Sequence, residues 1–431
     1  MLKNYNIAIL GAGPAGIMAA LSARKVNNQA DICIIDSNSN IGNKLRITGG
    51  GRCNFTNNKD ISNFFDNIVR NKKFLYSSLY SFSNEDLKEF IRKIGLDYIV
   101  EDDNDNKVYL KSRKSMDLIE VLNLELRKSN IDYIGKSKVV DIDLKEKKII
   151  SDDLIIKSDR IIIASGGSSY PQTGSDGSIK KMLSKKGYSI IEEVPALAPM
   201  NIKESWVKDI PGISLQNVFA TVSKVGVKNK TCSRSNNQKS KKLAELHGDM
   251  LFTHKGIGGP AVLKASSYIN RNIEESVLEI DFIADVAKDE LFDIVKSNPK
   301  KTILSNLKEL FPNNFLKRIL EKCNEESDGK FDFINDYSAN ISNKNFEILY
   351  KSLKKAELTP TSLADLERAT ITSGGIDVKN IDSSSLESVI DSGIYFAGEV
   401  IDVDALTGGY NLQIAFSTGY LAGMSAAESL K

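Results

Sequence analysis

The chain is poor in the residues that most often announce chemistry. Of 431 residues two are histidines, His247 and His254, and one is tryptophan. Four cysteines, Cys33, Cys53, Cys232 and Cys323, are scattered without a C-x-x-C, which excludes a local zinc ribbon and a redox dithiol. Neither histidine has Cys or carboxylate neighbours at ligand spacing, so no metal site is expected. Charge of one sign is lacking as well: 58 Lys and Arg stand against 56 Asp and Glu, a net +2 that by itself implies no polyanionic partner. No apolar run reaches transmembrane length, and no membrane partner is expected. The apolar run at Ile7–Leu10 is broken by Gly and Pro and lacks a cleavage site, so it does not fit a signal peptide, and a reducing cytoplasm is the expected location. No fixed-period repeat is present, which excludes a solenoid. At this length, with 41% apolar residues, two to three globular domains are expected.

What is present begins at Ile7. Ile7–Leu10 reads as a buried parallel strand running into Gly11-Ala12-Gly13-Pro14-Ala15-Gly16, a G-x-G-x-x-G in strand-to-helix context. Gly13 lets backbone N–H groups approach a pyrophosphate, and the following helix N-terminus turns partial positive charge toward it. Ile32–Ile35 reads as the second strand, and Asp36, 20 residues beyond Gly16, is placed to accept from an adenosine ribose. The spacing predicts a dinucleotide site, for FAD or NAD. A glycine turn that binds nothing is the alternative.

Gly42–Asn57, GNKLRITGGGRCNFTN, is too rich in glycine for a regular element and reads as a loop. Lys44, Arg46 and Arg52 supply positive charge, Gly50 and Gly51 bare backbone, and Asn54 both donor and acceptor, which favours ligand contact over an unspecific loop. Cys53 is either a nucleophile or, with the greater weight, a packed cysteine. Phe64–Ser129 reads as scaffold, with a Ser83–Asp86 capping box opening a helix to Ile94 and Ser115 capping another to Lys128. Strands are expected at 131–134, 139–142 and 148–156. Arg160–Gly167 predicts another buried strand, whose Ser165, Gly166 and Gly167 bring backbone to the carboxyl edge of a sheet; an ordinary strand-to-loop junction is the alternative.

Beyond Pro195 the pattern changes to alternating strands and then helices. The expected domains are 1–194 and 360–431 for one nucleotide-binding domain built from both ends, 195–285 for a β-rich insert and 286–359 for a helical insert. Lys228–Lys242 carries six basic residues and no acid, and without interleaved aromatics it reads as a solvated hairpin tip rather than a nucleic-acid contact. Near the C-terminus Thr372–Ile376 reads as a glycine turn, and Ile394–Phe396 as a strand ending in Gly398 and Glu399, with Asp402 beside them. Gly408, Gly409, Tyr410, Asn411 and Leu412 then open an apolar helix through Ala427, whose N-terminus can stabilise negative charge.

GAGPAG, NKLRITGGGRCNFTN and GIYFAGEVIDVDALTGGYNLQIAFSTG together resemble the bacterial flavoproteins of the aminoacetone-oxidase-like and bile-acid-reductase-like family. The resemblance implies FAD, a Rossmann-like α/β fold with an inserted, barrel-like β-rich and helical region, and a ribityl hydroxyl held by Glu399. His254, in a segment similar to the family's FTH-x-G-x-x-GP, either relays a proton near the flavin or anchors its loop. The function expected is an FAD-dependent oxidoreductase, with hydride passing through flavin N5 between a transient NAD(P)H donor and a small or steroid-like organic substrate. No second G-x-G-x-x-G supports a dedicated NAD(P)H domain. The alternatives are an oxidase of a small amine using dioxygen, an FAD-dependent RNA-modifying protein, and a flavin-holding protein without turnover.

Overall fold

A computed structural model describes residues 1–224, 241–327 and 329–431, so most of the basic stretch 228–242 lies outside the described residues. The chain divides into two compact units, Met1–Pro195 with Leu366–Lys431, and Ala196–Asp365.

The first unit is organised on a seven-stranded sheet in the order Asp132–Ile134, Ile32–Ile35, Leu2–Leu10, Ile155–Ile163, Lys148–Ser151, Val139–Asp143, with Ile394–Phe396 also paired to Ile155–Ile163. The central pairs are parallel, as uninterrupted apolar runs such as Ile161–Ile163 require when both faces are covered. The first strand starts earlier than its apolar run, because Leu2–Tyr5 pair with Ile155–Ser158. The single strand expected over 148–156 is instead two. Asp152 and Asp153 turn the chain, Ser151 Oγ accepts from Leu154 N at 3.2 Å, and Ile155 pairs back on Ile150.

Local signals set several other elements. Ser83 accepts from the Asp86 amide while the Asp86 carboxylate accepts from the Ser83 amide, opening the helix Asn84–Lys93. Ser115 does not cap its helix; Lys114 holds that position, and the Ser115 hydroxyl donates to the Arg46 carbonyl at 2.6 Å. Thr372–Ile376 is no turn but part of a buried strand, Ile371–Ile376. A Cβ on Gly374 would lie 2.3 Å from the Glu192 carbonyl, so close backbone approach explains this glycine.

The two ends of the chain meet through small residues. Cβ atoms on Gly419 and Gly423, in the C-terminal helix Tyr410–Glu428, would lie 2.2 and 2.1 Å from the carbonyls of Ala15 and Ala19 in the helix Pro14–Val26. Ascending numbers face each other, so the two helices run parallel. At 1.5 Å per residue the C-terminal helix begins about 12 Å beyond the start of the first.

The second unit carries an antiparallel seven-stranded sheet in the order Ala356–Leu358, Ser276–Asp281, Ser214–Lys224, Lys241–Phe252, Gly256–Gly258, Met200–Ile202, Pro360–Leu363. Its two end strands are joined through Thr359 alone, so the sheet curls back on itself in barrel fashion. The helices Lys288–Lys296, Asn313–Glu326 and Asn343–Lys354 lie between the strands ending at Asp281 and starting at Ala356, and bury Leu291, Phe315, Leu320 and Leu349. No helix of the described residues is long and apolar enough to cross a membrane.

Candidate functional site

The first turn is closed by Asp36, which follows the second strand. Asp36 Oδ2 accepts from the Ala12 amide at 2.7 Å, and Oδ1 accepts from the Asn38 amide and side chain, each at 2.8 Å. The Cβ positions distinguish the glycines: on Gly11 it would lie 2.3 Å from the Ala164 carbonyl and on Gly16 1.9 Å from the Gly11 carbonyl, but on Gly13 it would meet nothing within 4 Å. Gly11 and Gly16 serve packing, and Gly13 fronts open space. Gly13 also occupies the N-cap of Pro14–Val26, where no side chain caps the helix and its first amides are left without a side-chain acceptor. Next to this turn a cavity of about 300 Å³ is lined by Gly11, Asp36, Asn38, Lys138, Ser165 and Gly174 among others.

Gly166 and Glu399 belong to one polar network, and Gly167 leaves room for it, since a Cβ there would lie 2.4 Å from Thr372 Oγ1. Lys44 Nζ reaches Glu399 Oε2 and Ser169 Oγ, both at 2.7 Å, and Glu399 Oε1 accepts from the Thr372 amide at 2.9 Å. Thr372 Oγ1 accepts from the amides of Ser168 and Ser169, and Ser168 Oγ donates to Glu193. Lys180 Nζ pairs with Glu193 at 2.9 Å and donates to the Gly166 carbonyl at 2.9 Å. Burial lowers the Lys180 pKa although Glu193 opposes the shift. The strand end at Gly166–Ser169 is thereby held from both sides. Gly398 completes the junction, its amide donating to Thr418 Oγ1 in the C-terminal helix.

The expected glycine loop is partly regular: a short helix Asn43–Ile47, a 3-10 turn Thr48–Gly51 and a strand Asn54–Asn57. Arg46 and Gly50 are exposed, and Gly51 and Arg52 are half-buried. The Arg52 guanidinium sits over the Tyr109 ring, 4.6 Å from its centroid. Cys53 is buried, and burial pushes its thiol up to about 12, which favours a packed cysteine over a nucleophile. Turned so that its amide nitrogen meets the Thr56 and Val108 carbonyls, the Asn54 side chain sets its oxygen 3.1 Å from the Gly409 amide. Asn57 donates to the Gly408 carbonyl at 3.1 Å, and Thr56 Oγ1 donates to Gln413 at 2.6 Å. One strand near residue 55 thus clamps the glycine turn near residue 408.

At that turn, Asn411 serves its own loop, bonding the backbone of Ala405 on both sides. Asp402 is held by Arg70, at 2.9 and 2.8 Å, and by Asn71. Leu412 is half-buried and Tyr410 fully buried, with Phe64 edge-on to its ring at 5.0 Å. The hydroxyls of Thr407 and Tyr410 are buried without a hydrogen-bond partner among the described residues. Gly409 is the N-cap of Tyr410–Glu428, which again has no side-chain cap. His254 lies on an exposed turn of the second unit, between Lys241–Phe252 and Gly256–Gly258. Arg70, Asn71, Lys180, Glu193 and Gln413 escaped sequence reasoning; most of their partners are remote in sequence, so no local pattern marks them.

Two uncapped helix N-termini face the same way about 12 Å apart along their axes. With a cavity beside Asp36 at one end and two unpartnered buried hydroxyls at the other, the residues fit a dinucleotide that carries a flavin.

The profile of a family described as HI0933-like protein Rossmann domain matches residues 5–425. The chain is 28% identical over 427 residues to the 3-dehydro-bile acid delta(4,6)-reductase of Clostridium scindens, covering 98% of this chain and 99% of that protein. It is also 28% identical over 429 residues to the ribosomal RNA dihydrouridine synthase of Haemophilus influenzae, covering 97% and 98%. Among solved structures, Escherichia coli quinol fumarate reductase matches with a TM-score of 0.50 and 14% identity, over 99% of this chain and 70% of that one, a likeness of fold.

Proposed function

The chain belongs to the HI0933-like Rossmann-domain family and is an FAD-dependent oxidoreductase, and from that premise we propose that it uses NAD(P)H to saturate a carbon–carbon double bond conjugated to a carbonyl. The observation that carries this reading is the shared chemistry in the names of two relatives matched over nearly their whole length. A 3-dehydro, delta(4,6) bile acid and a uridine each present such a bond. Bound FAD supplies hydride transfer through N5, with NAD(P)H as two-electron donor and a solvent proton completing the product.

The chain's own residues bind and orient. The amides at Gly13–Gly16 and the uncapped start of Pro14–Val26 would hold the pyrophosphate, and Asp36 with its cavity the adenosine. Lys44 and Glu399, with Gly166 and Gly167, would border the ribityl arm. The N-terminus of Tyr410–Glu428, with the buried hydroxyls of Thr407 and Tyr410, would face the electron-accepting end and favour negative charge there. On this reading one cofactor domain takes Met1–Pro195 and Leu366–Lys431, while Pro360–Leu363 pairs in the sheet of the insert. The buried free thiols Cys33, Cys53 and Cys323 suit a reducing cytoplasm.

The test is anaerobic. Adding NADH or NADPH to the purified protein bleaches the flavin band within seconds, and a 3-oxo-4-ene steroid or a uridine-containing RNA restores it faster than air does. A flavin that both nicotinamides leave oxidised, but that a primary amine bleaches, overturns the reading in favour of an amine oxidase.

A further inference from the structure

Beside the end of the strand Ile155–Ile163 lies a buried ammonium that the proposed reaction does not use. Lys180, on the helix Ser178–Lys185, is 2% exposed. Its Nζ pairs with Glu193 and donates to the Gly166 carbonyl, each at 2.9 Å. Taking an ammonium out of water is costly even when it is paired, and a methionine of similar length would fill the same space without that cost. What the lysine adds over a methionine is a charged donor aimed at one carbonyl.

That carbonyl fixes a peptide. Gly166 has a φ of 76°, in the left-handed region, and its bond to Gly167 is planar, so the Gly167 N–H points away from the carbonyl that Lys180 holds. Of the successive amides of Gly167, Ser168 and Ser169, the last two donate to Thr372 Oγ1. The Gly167 amide has no hydrogen-bond partner among the described residues, although Gly167 is buried. A buried N–H left unpaired is rare in a folded protein and calls for an acceptor from outside the chain. The cofactor site borders this point on two sides. A Cβ on Gly167 would lie 2.8 Å from the Glu399 carboxyl carbon, and a Cβ on Gly11, in the dinucleotide turn, would lie 3.2 Å from the Ser165 α-carbon.

We propose that Lys180 is a positioning residue for the cofactor: by holding the Gly166 carbonyl it turns the Gly167 N–H toward an oxygen of the FAD arm. Glu193 balances the charge and, through the Ser168 hydroxyl at 2.8 Å, ties the same ion pair to the next turn of the loop. The proposal rests on the reading that Lys44, Glu399, Gly166 and Gly167 border that arm.

The test titrates flavin-depleted, full-length protein with FAD by fluorescence quenching, well below its melting temperature, beside thermal unfolding of the same apoprotein. Lys180→Met with Glu193→Gln removes both charges and keeps an acceptor for the Ser168 hydroxyl, so the melting temperature stays within about 3 °C of the parent. FAD affinity nevertheless falls on the order of tenfold, because nothing holds the Gly166 carbonyl. Glu193→Gln alone reverses the order. With the ammonium uncompensated the melting temperature drops by about 5 °C, while affinity falls less than in the double variant, since Lys180 still reaches the carbonyl. A double variant that binds FAD as tightly as the parent overturns the positioning role. So does affinity that simply follows melting temperature across the three proteins, which would make the ion pair a packing feature. Bound flavin that neither nicotinamide reduces overturns the proposed reductase and leaves these affinities, and the role of Lys180, as they are.

Discussion

The molecule has two glycine turns that each open an uncapped helix, and they are built differently. Gly11–Gly16 is closed mainly over short range, by Gly16 against the Gly11 carbonyl and by Asp36 through the Ala12 amide, with the Ala164 carbonyl packed on Gly11. Thr407–Asn411 is closed within its loop by Asn411 and is clamped from outside by Asn57 and, one turn into the helix, by Thr56, each more than 350 residues away in the chain. A local turn writes its geometry into spacing, so it reads as a motif. A turn held at long range leaves only glycines and a following apolar helix, which any helix start can show.

Four outcomes break or sharpen that contrast. Gly16→Ala places a Cβ 1.9 Å from the Gly11 carbonyl and should cost about 3 kcal/mol in denaturant unfolding, with the protein isolated free of flavin. Gly409→Ala puts its Cβ 2.2 Å from the Thr56 carbonyl at a φ of 93°, so unfolding free energy should fall by about 2 kcal/mol; intact stability would show that the Asn54–Asn57 clamp does not fix this turn. Gly13→Ala meets open space, so the apoprotein should keep its melting temperature while FAD affinity, by fluorescence quenching, falls on the order of tenfold. If stability falls with affinity, Gly13 is a packing glycine like its neighbours. The smallest effect is at Cys53: with its thiol pushed up to about 12 by burial, mass-spectrometric mapping after alkylation of the native protein at pH 8 should find it unmodified.

The same contrast explains how much could be read in advance. The parallel strands were legible because apolar runs bounded by glycine and charge have few other uses, and the Ser83–Asp86 box because its partners are three residues apart. The FAD-dependent oxidoreductase was legible from three motifs taken together. The strand break at Asp152–Asp153 was missed because Lys148–Ile156 alternates well enough to read as continuous. The Thr372–Ile376 strand was missed because its glycines signal a turn when considered alone, and only the neighbouring Glu192 backbone reveals why they are needed. Lys44 and Glu399 were both legible as candidate ligand contacts, but nothing in the sequence pairs them with each other, nor Asp402 with Arg70.

The central claim is that the two ends of the chain build one cofactor site. Its most direct measurement is titration of flavin-depleted protein with FAD, followed by quenching of flavin fluorescence. The account predicts saturation at one FAD per chain, with affinity reduced by Gly13→Ala and by Gly409→Ala alike. Folded protein that takes up no FAD, or affinity that responds to only one of the two turns, would contradict it.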